Sequence, residues 1–197
     1  MYKKQMRFQK IACLICIIAA AVAFVYALGI STDLYDSLYN TMTNKNDPHK
    51  TKVEGSWIYY DMQDFNRSFV NMSIVLILLA CLLFIMNTQT RRKYYITNYV
   101  SIGLYSAGTL GVTFWALSNI IAFKNQYLTT VDFEALKEYA EMGFVKYSDS
   151  TFWFDLGFVV AALAIASVVA IVYNMVWKIN LMKAENKLIE EGKEAVA

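Results

Sequence analysis

Four long apolar stretches constrain this chain more than any other feature. They run from Ile11 to Ile30, Phe69 to Met86, Tyr99 to Phe123 and Phe152 to Trp177. None holds a Lys, Arg or Glu, and the only Asp is Asp155, close to one end of the last stretch. At about 1.5 Å rise per residue, each is long enough to cross a hydrocarbon core of about 30 Å. Charged residues make up 17% of the chain, below the roughly 25% of soluble domains. The sequence therefore predicts an all-α membrane protein, a bundle of four transmembrane helices forming a single integral membrane domain.

The flanking charges predict the orientation. Lys3, Lys4, Arg7 and Lys10 precede the first span. Arg91, Arg92 and Lys93 lie between the second and third, and Lys178, Lys183, Lys187 and Lys193 follow the fourth. Basic flanks stay on the cytoplasmic side, so both tails, 1–10 and 178–197, are expected there. The connections 31–68 and 124–151 hold more acids than bases and become the outer loops. The first span follows a basic start, but at about 20 residues it exceeds a signal h-region. It reads as a retained helix in a multi-pass cell-membrane protein. The Lys-, Asn-, Ile- and Tyr-rich composition suits a bacterial inner membrane.

The layout allows two similar hairpins. Phe24 to Leu28 faintly echoes Phe114 to Leu117, and 69–87 echoes 158–174. Both outer loops are expected to be partly helical. Leu34, Tyr35, Leu38, Tyr39 and Met42 recur at helical spacing, while Lys45 to Gly55, with Pro48, reads as irregular. Asp132 to Met142 reads as a short helix, with Thr129 or Thr130 near its start and Gly143 past its end. Its apolar side is Phe133, Leu136 and Ala140. Beyond Trp177 the last helix is expected to continue, supported by Lys187 and Glu191 four residues apart.

Small residues repeat at every fourth position in three spans: Ala19, Ala23 and Ala27; Gly103, Ala107 and Gly111; Ala162, Ala166 and Ala170. Residues four apart share a helix face, and small ones let two helix backbones approach. These nine positions are the candidate helix-packing interface. The second span has no such stripe, and Leu76, Leu78, Leu79, Leu82, Leu83 and Phe84 are expected to face lipid or a partner.

Chemistry-bearing residues are few. With one acid and no base in the spans, ion-coupled transport is disfavoured. Cys13 and Cys16 form a C-x-x-C, but they lie toward the cytoplasmic end of an apolar span with only Cys81 for company. Buried packing is expected, since apolar surroundings suppress thiolate formation. His49, the sole histidine, lies near Asp47 and Lys50 without metal-ligand spacing. No catalytic residue, cofactor site or metal site is predicted, and the net charge of +2 gives no reason to expect nucleic-acid binding. Most loop aromatics fit an interfacial belt. Trp57, Tyr59 and Tyr60, with Asp61 and Asp64, are the surplus and form a candidate partner-binding outer face. The leading expectation is a non-catalytic accessory or scaffolding subunit of a larger membrane complex, such as a transporter or channel. The alternative is a self-associating small pore or solute facilitator. The expected partners are membrane lipids and other membrane subunits, or a second copy of the chain.

Overall fold

The computed structural model describes residues 2–30, 32–41, 50–89 and 93–194. Met42, Lys45, Asp47, Pro48, His49, Arg91 and Arg92 lie outside the described residues. Almost all of the described chain is helical. Helix α1 spans Tyr2–Gly29, α2 Thr32–Leu38, α3 Ile58–Thr88, α4 Ile96–Thr130, α5 Phe133–Glu141 and α6 Phe152–Glu194. A single 3₁₀ turn, Tyr39–Thr41, follows α2. Four of these helices, α1, α3, α4 and α6, are long and apolar enough to cross a membrane.

Helices α3 and α4 each outrun their apolar stretch at one end because a buried apolar stripe continues there. In α3, Ile58, Met62, Phe65 and Phe69 are buried, while Asp61, Asp64 and Arg67 on the other side are exposed. The charges that mark 58–68 as a loop in sequence therefore lie on the solvated side of a helix. In α4, Ala116, Ile120 and Tyr127 carry the same stripe toward the end of the helix, and Val131 continues it just past Thr130.

Short elements follow local chemistry. The side chain of Asp132 accepts from the Ala135 N–H at 3.0 Å, so Asp132 caps α5. The cap is thus Asp132, not Thr129 or Thr130, which sit in the last turn of α4 and bond back to the carbonyls of Asn125 and Gln126. A carboxylate both accepts that N–H and complements the positive end of the helix. Gly143 follows with φ +81°. Leu136 is fully buried, and Phe133 packs against the same core.

The chain forms two compact units. The terminal unit comprises Met1–Ala21, Ile74–Gly111 and Ala162–Ala197, and the loop unit Val22–Ser73 and Val112–Ala161. In the loop unit the core is strongly aromatic. Phe65 stacks on Phe69 at 5.7 Å between ring centres and meets Trp115 and Phe123 at 5.2 and 5.6 Å. The two long connections are joined by backbone bonds: Asp132 donates to Glu54 at 3.1 Å and Lys146 to Asp36 at 3.2 Å. Tyr127 donates to the Ser148 carbonyl, and Lys52 Nζ donates to the Tyr139 hydroxyl.

In the terminal unit the second-span leucines divide. Leu76 and Leu83 are buried, and Leu79 lies 3.1 Å from the position a Cβ on Gly108 would occupy. Leu78 and Leu82 point outward. The expected set facing lipid or a partner is therefore corrected for Leu76 and Leu83, which are buried; Gly108 on α4 leaves room for Leu76 and Leu79.

Candidate functional site

Polar side chains gather in the terminal unit where α1, α3, α4 and α6 meet. Gln5, Gln9, Asn87, Asn98, Asn174 and Lys178 are all within 2% of complete burial. Gln5 and Gln9 are four apart on α1 and therefore neighbours on one face. The Gln5 Nε2 amide lies 2.9 Å from both Gln9 Oε1 and Asn174 Oδ1. Asn174 Nδ2 donates to the Tyr94 hydroxyl at 3.0 Å, and that hydroxyl lies 3.4 Å from Gln9 Oε1. Gln9 Nε2 donates to the Asn87 carbonyl. Asn87 Nδ2 donates in turn to Leu83 O and Ser101 Oγ, at 3.0 and 3.1 Å. The Lys178 ammonium sits 5.0 Å from the centre of the Tyr94 ring, within cation–π range.

Asn98 ties the start of α4 to the last turn of α3. Its Oδ1 accepts the Tyr95 N–H at 2.8 Å, and its Nδ2 donates to the Met86 carbonyl at 2.8 Å. The first bond is the backward half of a capping box with Asn in place of Glu. The second satisfies a carbonyl in the last turn of α3.

One helical layer deeper, the Tyr105 hydroxyl lies 2.8 Å from Ser167 Oγ and 3.2 Å from the Cys16 carbonyl. Ser167 Oγ donates to Ala164 O. Cys16 and Cys13 are fully buried free thiols.

This layer of amides is what sequence reasoning overlooked. In sequence Lys178 counts only as one of the basic residues after the fourth span, whereas it is fully buried. The available signal is that Gln5, Gln9 and Asn98 precede the first and third apolar stretches while Asn87 and Asn174 lie at the C-terminal ends of the second and fourth, the ends flanked by Lys and Arg. Replacing Asn174 with Leu removes a donor to Tyr94 and an acceptor for Gln5. The expected loss is about 1–2 kcal/mol, read from unfolding in mixed micelles. A stabilised variant would show that the amide layer opposes folding.

The stripes of small residues do not share one environment. Ala19 is buried in the terminal unit, and Ala23 and Ala27 in the loop unit. Gly103, Ala107 and Gly111 are exposed, and a Cβ on either glycine would meet nothing within 4 Å. Ala162 and Ala166 are exposed and Ala170 half-buried. Together with Ile165, Val169 and Tyr173 they line an open apolar groove on α6. Close approach instead occurs at glycines outside these stripes: Gly108 against Leu79, Gly29 against Trp153 and Gly157 against Tyr26.

In the loop unit, Trp57 and Tyr60 are half-buried and Asp61 and Asp64 exposed. Spacings of three and four place these four on one side of the start of α3. Tyr59 differs. It is buried, 5.9 Å from Tyr35 and 5.7 Å from Tyr39 between ring centres. Lys124 pairs with Asp155, which also accepts from Thr151 Oγ1 at 2.7 Å. No protein-family model, curated protein or solved structure matches the chain.

Proposed function

We propose that this chain is a non-catalytic accessory subunit that docks onto another membrane protein, such as a transporter or channel, in a bacterial inner membrane. The observation that carries this reading is the outward Gly103, Ala107 and Gly111 face with open space beside both glycines. In lipid, helix association depends on close packing, because the tails are as apolar as the side chains. A small-residue face left open by the chain's own helices is a seat for a further helix. The Ala162, Ala166 and Ala170 groove on α6 offers a second seat. In the proposed orientation both termini are cytoplasmic, and Trp57, Tyr60, Asp61 and Asp64 face outside as a contact zone for the partner. The amide layer serves as structural glue inside a four-helix bundle.

Gly103→Leu and Gly111→Leu fill the seat without touching the chain's own packing. Recovery of the partner in mild-detergent affinity purification is expected to fall at least about tenfold, corresponding to about 1.4 kcal/mol. The melting temperature of the isolated chain is expected to stay unchanged, since nothing lies within 4 Å of either site. Undiminished recovery overturns the reading. Recovery of only a second copy of the chain favours the self-associating facilitator.

A further inference from the structure

The first turns of α1 hold a feature that the docking reading does not use. Lys3, Arg7 and Lys10 line a cavity of about 410 Å³ in the terminal unit. Their spacing of four and three puts all three cations on one helix side. Like charges four apart destabilise a helix by a few tenths of a kcal/mol, and no acid lines the cavity among the described residues. Thr88, the last residue of α3, and Gln89 just after it line the same cavity.

Gln9 also lines this cavity and is only 2% exposed. One hydrogen of its amide goes to the Asn87 carbonyl, and its oxygen accepts from Gln5 and Tyr94. The buried amide layer therefore fixes Gln9 in the wall of the cavity that the three cations also line.

We propose that this cavity binds a phosphate-bearing anion. Arg supplies a planar fork for phosphate oxygens and Lys a compact charge, and the volume lies in the range of small-ligand sites. The apolar run of α1 begins at Ile11, next to Lys10. In a membrane-spanning chain this places the cations at headgroup depth, where basic pockets between helices take anionic lipid headgroups. The same chemistry accepts free phosphate, and the experiment separates the two. The inference requires the chain to span a membrane but not to dock on a partner.

The test uses the purified full-length chain in neutral detergent. Dioleoylphosphatidylglycerol, dioleoylphosphatidylcholine and inorganic phosphate are titrated separately, with bound lipid read by native mass spectrometry and thermal shift. Phosphatidylglycerol is expected to bind in preference to phosphatidylcholine. Arg7→Gln should weaken it about fivefold, and the triple change at Lys3, Arg7 and Lys10 about a hundredfold. Lys183→Gln, an equal charge change in the exposed tail, should change it less than about twofold. Displacement of the lipid by millimolar phosphate identifies a general phosphate site, and resistance to it a headgroup site; either supports the proposal. Phosphate binding without lipid preference, lost in the triple variant, supports it as well. Equal binding of both lipids with no phosphate binding overturns it, as does a Lys183→Gln loss equal to that of Arg7→Gln. Unchanged melting in phosphatidylcholine shows that the variants fold.

Discussion

Gly55→Ala is expected to destabilise the loop unit by about 3 kcal/mol or more, the largest effect of any single methyl addition in the chain. Two penalties combine. Gly55 has φ +81°, a conformation that costs a residue with a Cβ about 1–2 kcal/mol. Its Cβ would also lie 2.2 Å from Thr130 O, 2.4 Å from Thr130 C and 2.6 Å from Val131 N. These are backbone atoms at the end of α4, with no rotamer to change. The nearest escape is to lift the 50–57 segment away, which breaks the Asp132 to Glu54 hydrogen bond. Gly143→Ala is the matched control, because Gly143 has the same φ of +81° and open space around it. It is expected to cost only about 1 kcal/mol. Equal losses for the two variants in mixed-micelle unfolding would show that the approach of Gly55 to Thr130 has no energetic weight.

Gly157→Val should rank second, at about 2–4 kcal/mol. A Cβ there would lie 2.6 Å from the Tyr26 hydroxyl and 3.0 Å from Ile120 Cδ1. Tyr26 has little freedom to retreat. Its hydroxyl donates to the Trp153 carbonyl at 2.9 Å, and its ring meets Phe69 edge-on at 6.1 Å. The smaller Gly157→Ala change tests the contact directly, because the first atom it meets is the hydroxyl oxygen. Combined with Tyr26→Phe, it should recover about 1 kcal/mol relative to the sum of the single changes. Strict additivity would mean that the backbones of α1 and α6 move apart instead.

Periodicity and end signals make the helices legible, but orientation requires the structure. The four long helices follow from uninterrupted apolar runs, and α5 from Gly143 and the apolar spacing of Phe133, Leu136 and Ala140, while its cap is Asp132 and not Thr129 or Thr130. A helix that is apolar all round does not announce which side faces protein. Ala23 and Ala107 illustrate the limit: both sit at the centre of equally regular stripes, yet Ala23 is buried and Ala107 exposed. The same ambiguity hides Gly157 and Gly108, which lie outside any repeat. Tyr59 looks like its neighbours Trp57 and Tyr60 in sequence, yet it turns into the core because it lies on the other side of the helix. The amide layer is harder still. Gln5 and Asn174 are 169 positions apart, and only three-dimensional packing brings them within hydrogen-bonding distance.

Helix α6 contains 43 residues, which at 1.5 Å each gives about 65 Å, roughly twice a hydrocarbon core. The Tyr2 hydroxyl donates to Glu185 at 2.7 Å, and the Lys187 to Glu191 pair is exposed. A free peptide of the few residues beyond Glu185 would be too short to hold a helix, because nucleation is the costly step. Here each turn is added to one already formed, so the tail is a case of propagation without nucleation. Its order is inherited from the apolar segment before it, and a helix break at Lys178 would leave the same tail sequence as coil.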